Sequence, residues 1–166
     1  MNIVDAIKLF FLFIIATVLH WAFVSLFAHW GISVNTLLVF VAAFCALLKL
    51  PVAYSAAFFG GLFLDFFGTK LFGNNAFTFT VCACVICNLA PRFDFDELFP
   101  QMVAVFGLTW LAGICNALLV YLFASASAWP GFWSLLGGAF VDGLCAPLVF
   151  WLVRRVMGSS LLIRQV

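Results

Sequence analysis

Leu9-Phe-Phe-Leu-Phe-Ile-Ile-Ala-Thr-Val-Leu-His-Trp-Ala-Phe-Val-Ser-Leu-Phe27 carries no formally charged residue. As a helix rising about 1.5 Å per residue, it reaches close to the ~30 Å thickness of a bilayer's hydrocarbon core. Asp5 and Lys8 precede it, which gives it the outline of a secretory signal. The run is too long for a signal's apolar segment, and no convincing small-x-small cleavage pattern follows it. The reading is an uncleaved first membrane span.

The rest of the chain has the same character. Hydrophobic residues make up 67% of the 166 residues and charged residues 8%. Soluble domains carry about 25% charged residues, and a chain this small could not cover so much apolar surface in water. With about 20 apolar residues per span, the length accommodates about six. The expected fold class is therefore an all-α integral membrane protein of about six transmembrane helices. It forms one polytopic domain over residues 1–166, with no room for a soluble domain. The spans read as about 7–29, 33–49, 52–68, 75–90, 100–124 and 132–153.

Breakers set those limits. Gly31 and Ser33 separate the first two spans, with Ser33 as the expected N-cap. Pro51 suits the first turn of the third. Gly68-Thr-Lys-Leu-Phe-Gly-Asn-Asn75 is a polar loop, and Trp129-Pro-Gly131 ends the loop before the last span. Pro91 and Pro100 bracket the acidic stretch, in which Asp94, Asp96 and Glu97 alternate with Phe93, Phe95, Leu98 and Phe99. That stretch is either a short amphipathic piece at the interface or a solvated loop whose phenylalanines dip into lipid.

Six spans put both termini on one side. That side collects Lys8, Lys49, Arg92, Arg154, Arg155 and Arg164, against Lys70 alone on the other. The positive-inside rule then makes both termini cytoplasmic. Trp30, Trp129 and Trp133 fall at the outer interface, and Tyr54 and Trp151 near the inner one. The scattered basic residues and net charge of +1 give no track for nucleic acid.

Charges inside spans are costly and mark polar contacts or sites. Asp65 and Asp142 are such charges, and His20, Asn88 and Asn116 add polar groups. Asp65 follows Pro51 by a run that lifts it about 20 Å, near the outer end, whereas Asp142 reads as closer to mid-membrane. Their surroundings share one pattern, G-G-x-F-x-D: Gly60-Gly-Leu-Phe-Leu-Asp65 and Gly137-Gly-Ala-Phe-Val-Asp142. This could be the trace of an inverted three-helix repeat, and the abundance of glycine and phenylalanine makes chance the rival account. Gly60, Gly61, Gly137 and Gly138, together with Ala56, Ala57, Ala139, Gly143 and Ala146, permit close helix approach. Pro147 should kink the last span and free a carbonyl a turn earlier. Two readings follow for these residues: a polar site between spans 3 and 6, or aspartates capping interior contacts with Asn or His partners.

Catalytic motifs are missing. No H-E-x-x-H, G-x-S-x-G or phosphate loop occurs, and neither His20 nor His29 has a nucleophile placed beside it. The six cysteines all lie in apolar stretches. The C-x-x-C of Cys84 and Cys87 lacks His or carboxylate company, and a helix would turn Cys82 away from both. Packing is the expected role for these thiols, with no metal and no cofactor.

The stretch from Phe58 to Ala76 resembles the signature of the MreD family of bacterial rod-shape-determining membrane proteins, through Gly61, Asp65, Gly68 and Gly73. The end of the chain is similar to that family's last span and basic tail. It carries Phe132-Trp-Ser, Gly138, Val141-Asp-Gly143, Pro147, Phe150 and Leu152-Val-Arg-Arg-Val156. The match runs from the third span onward. Phe72 before Gly73 and the acidic stretch after Pro91 depart from the family pattern.

The resemblance implies a non-enzymatic scaffold of the cell-elongation machinery in the bacterial inner membrane. It would bind an MreC-like single-span coiled-coil protein and help control cell shape and peptidoglycan synthesis. RodZ, RodA, a class B penicillin-binding protein and MreB belong to the wider assembly. The candidate partner-interface or buried polar residues are Gly60, Gly61, Asp65, Gly73, Gly137, Gly138, Asp142 and Pro147. The family's fold is held to be similar to substrate-binding subunits of energy-coupling vitamin transporters. The alternative function is therefore a membrane subunit for small-molecule uptake, with Asp65 and Asp142 reading a ligand's polar group.

Overall fold

A computed structural model of the protein describes residues 3–67, 71–124 and 129–157. Gly68 and Lys70 of the polar loop, and Arg164 of the basic tail, lie outside the described residues. Among the described residues the chain is helical throughout, with no strand. It forms α1 (Ile3–Ala28), α2 (Thr36–Leu47), α3 (Leu50–Phe66), α4 (Asn74–Leu89), α5 (Leu98–Ala124) and α6 (Phe132–Met157). A 3-10 turn, Ala90–Arg92, extends α4.

Four of these helices are long and apolar enough to cross a membrane: α1, α4 with its 3-10 turn, α5 and α6. The expected second and third spans are the short ones, with 12 residues in α2 and 17 in α3. All residues of α2 are buried. It stands at the centre and touches α1, α3, α4, α5 and α6. Its sequence, Thr-Leu-Leu-Val-Phe-Val-Ala-Ala-Phe-Cys-Ala-Leu, is apolar on every side, as a helix without a solvent face requires. The outer ring carries large apolar side chains outward, among them Phe10 and Phe11 of α1, Leu122 and Phe123 of α5, and Leu148 of α6. Exposed surface of this kind is tolerated in lipid and not in water.

The second span was expected to begin at about residue 33, but α2 starts at Thr36. Ser33 is not its cap. The Ser33 N–H donates to the Ser134 carbonyl of α6 at 3.3 Å, which holds the chain out of helix. Asn35 is the cap instead: its Oδ1 accepts from the Leu38 N–H at 3.3 Å. The stretch Ile32–Asn35 is therefore non-helical and runs alongside α6. Four residues span at most about 13 Å and α2 about 18 Å, so together they approach the ~30 Å hydrocarbon thickness.

Pro51 stands in the first turn of α3, where its missing N–H costs nothing. α6 continues through Pro147 to Met157, a turn beyond the expected end. The carbonyl that Pro147 cannot use belongs to Gly143, and α5 comes close there: a Cβ on Gly143 would lie 3.3 Å from the Met102 carbonyl.

The acidic stretch is a loop with one residue plugged inward. Phe95 is fully buried and stacks on Phe150 of α6 with ring centroids 5.8 Å apart. Its carbonyl accepts from Gln101 Nε2 at 2.6 Å and from Arg154 Nη2. Arg154 also pairs with Asp96 at 2.8 Å. Phe93 and Phe99 face outward. Neither expected arrangement included this burial of Phe95 against α6 inside the protein. In α4, Cys82 and Cys87 share the buried side and Cys84 is exposed, so it is Cys84 that points away. The buried thiols approach the carbonyls of Leu108 and Cys45.

Candidate functional site

The end of α3 and the start of α4 form one unit. Gly73 precedes α4 with a φ of +88°, a left-handed conformation that glycine adopts without strain. The first N–H groups of a helix lack partners inside it. Asp65, reaching across from α3, supplies them. Its carboxylate accepts from the Asn75 N–H at 3.0 Å, the Asn75 side-chain amide at 3.1 Å and the Ala76 N–H at 3.1 Å. A negative group here also suits the positive end of the helix dipole. Gly61 lies one turn before Asp65, and a Cβ on it would overlap the Asn75 carbonyl and Ala76 Cα. Glycine is what lets the two backbones meet.

The second motif repeats the device on a different target. Asp142 of α6 is fully buried. Its two oxygens accept the Asn35 N–H at 3.0 and 3.2 Å, and one accepts the Thr109 hydroxyl of α5 at 3.2 Å. Asn35 in turn caps α2, so Asp142 holds the cap of the central helix. A Cβ on Gly138 would overlap the Ser33 carbonyl. In each motif the second glycine admits a backbone, and the aspartate a turn later accepts N–H groups from that same segment.

The first glycines have looser neighbours. Gly60 faces the side chains of Phe13 and Val41, and Gly137 faces Ile32. Gly60, Gly61 and Gly138 are buried within the bundle, where they serve interior contacts rather than an outer face. Pro147, partly buried, bonds neither aspartate. The two motifs do not build a shared site between α3 and α6, because α2 packs against both helices. Asn88 and Asn116 are absorbed locally: the Asn88 amide donates to the Cys84 carbonyl at 2.8 Å, and Asn116 Oδ1 accepts from Thr78 Oγ1 at 3.1 Å.

The two capped helix starts meet at one open cleft of about 610 Å³, with Trp21, Ala28, Ser33 and Phe67 exposed along its sides. His20, Trp21, Val24 and Ala28 of α1 wall it on one side, with Ile32–Asn35 on the next. Leu64 and Phe67 from the end of α3, and Asn75 of α4, complete it. The segments that the two carboxylates cap line the same cleft. Sequence reading singled out His20, but gave no signal for Asn35 as cap or Thr109 as partner. Their roles depend on contacts far apart in the chain. Among the described residues no group of His, Cys, Asp and Glu gathers as a metal-binding cluster. Comparison with protein-family models, with curated proteins and with solved structures finds no match for this chain.

Proposed function

We propose that the protein is a non-enzymatic membrane scaffold that seats a partner's transmembrane helix. Following its resemblance to the MreD family, we assign it to the bacterial inner membrane and the cell-elongation machinery, with an MreC-like single-span partner. RodZ, RodA, a class B penicillin-binding protein and MreB are the wider company. In this reading all six helices pass through the bilayer and both termini are cytoplasmic, as the distribution of basic residues favours.

The observation that carries the reading is an apolar groove of about 640 Å³ between α1 and α3. Its lining includes Ala6 and Phe10 of α1, and Ser55, Ala56, Phe59 and Phe66 of α3. It follows α3 from Pro51 to Phe66 and α1 from Ala6 to Phe13. Small residues along it allow the close approach on which helix association in lipid depends. Phe10, Phe59 and Phe66 are exposed along its sides and offer dispersion contacts to an inserted helix.

The test is a mild-detergent pull-down of the tagged chain from native membranes, repeated with Ala56→Phe to fill the groove. The expected result is a single-span coiled-coil protein retained by the natural sequence and lost from the variant. Equal retention by both sinks the groove as the seat. Recovery of ATPase subunits in place of cell-wall proteins would turn the assignment to the uptake subunit.

A further inference from the structure

We propose that the cleft between α1, the Ile32–Asn35 lead, α3 and α4 is a binding site for a small neutral ring compound bearing both hydrogen-bond donors and acceptors. The site is distinct from the partner groove and does not depend on the scaffold reading.

Three observations converge on it. The first is size and make-up. A volume of about 610 Å³ lies inside the ~300–1,000 Å³ range of small-molecule sites. Its walls mix an apolar surface (Trp21, Val24, Leu64, Phe67) with polar groups from His20, Ser33, Asn35 and Asn75.

The second is unmet polar demand. Among the described residues five buried side-chain atoms lack a hydrogen-bond partner, and one of them, His20 Nδ1, belongs to a residue that lines this space. Buried polar atoms normally find partners, and leaving one unpaired costs about 1–3 kcal/mol. A bound molecule that donates and accepts would satisfy the imidazole directly.

The third is charge. No described lining residue carries a formal charge. Helix starts normally attract anions, but here Asp65 takes the Asn75 and Ala76 N–H groups of α4, and Asp142 the Asn35 N–H ahead of α2. An anion would meet two carboxylates behind these donors. A cation would find both carboxylates turned to backbone and buried at 4% and 0% exposure. A neutral ligand fits what remains. Trp21 and Phe67, edge to face at 5.7 Å, give a ring an aromatic wall.

The test is calorimetric titration of the full chain in lipid nanodiscs. The neutral probes are adenosine, riboflavin and nicotinamide. Their charged counterparts are adenosine monophosphate, riboflavin phosphate and nicotinic acid. The expected result is saturable binding of at least one neutral probe, with its charged counterpart at least tenfold weaker. His20→Leu should weaken that binding at least tenfold, and Ala28→Phe, which narrows the cleft, should abolish it. Both variants are checked for unchanged helix content, and either one suffices if the other fails to fold. The proposal falls if no neutral probe binds up to millimolar concentration, if charged and neutral partners bind alike, or if a folded variant binds as the natural sequence does.

Discussion

Gly60–Asp65 and Gly137–Asp142 share a sequence pattern and a structural task, yet they serve helices related in opposite ways. Asp65 caps α4, its immediate successor, 10 residues along the chain. The two helices form a hairpin, so α3 and α4 run antiparallel and both glycine and aspartate meet the same residues, Asn75 and Ala76. Asp142 holds the start of α2 across 107 residues. There the strands of contact run in parallel: Gly138 meets Ser33, and Asp142 meets Asn35. One device thus makes a local turn in the first case and pins a distant segment in the second. The shared device explains the recurring pattern by function at a helix start.

The difference can be broken at its strongest point with alanine. Gly138→Ala should destabilise the protein by about 3 kcal/mol or more, since its Cβ overlaps the Ser33 backbone, which has no flexible end to yield. Unfolding in mild detergent measures this. Gly61→Ala should also destabilise, but less, because its Cβ would overlap the Asn75 carbonyl oxygen less deeply than a Cβ on Gly138 would overlap the Ser33 carbonyl oxygen. Gly60→Ala is the contrast: its Cβ would make ordinary 3.7 Å contacts, so it should be neutral or stabilising by about 0.5 kcal/mol. A large loss at Gly60 would mean that the close approach is not what the second glycine provides.

The aspartates should order the same way. Asp142→Ala leaves a buried Asn35 N–H and the Thr109 hydroxyl without an acceptor, and should cost about 2–4 kcal/mol. Asp65→Ala removes a helix cap and should cost about 1–2 kcal/mol. Equal losses would show that distance along the chain does not matter to the device. Among the charged side chains the smallest effect belongs to Arg154→Ala. Its partner Asp96 is 78% exposed, so the ion pair itself contributes about 1 kcal/mol or less. The readout is faster hydrogen exchange at residues 93–97, with the helices unchanged.

Much of the architecture was legible because hydrophobic length and breakers are local signals. Pro51, Gly73 and Trp129–Gly131 end or begin helices where their own backbone chemistry demands it. The start of α2 was not legible. Ser33 is as good a cap residue as Asn35 by type, and only the Ser134 carbonyl and Asp142, both on α6, decide between them. The same limit hid the cleft. Asp65 and Asp142 could be flagged as costly in a span, but the helix starts they serve depend on which neighbours the fold supplies. Cys82 and Cys87 show the problem in miniature. Ideal helical spacing separates them by more than a third of a turn, yet α4 is enclosed widely enough to bury both.

α2 has a further consequence, in the order of events during synthesis. It leaves the ribosome second, but the carboxylate that holds its cap follows 107 residues later. At translation rates of about 5–20 residues per second, that delay is on the order of 5 to 20 s. During it, the helix destined to touch no lipid must wait among lipids or insertion machinery with its lead segment unpinned. The central helix of this protein is locked in place only when α6, one of its outer walls, arrives with Asp142.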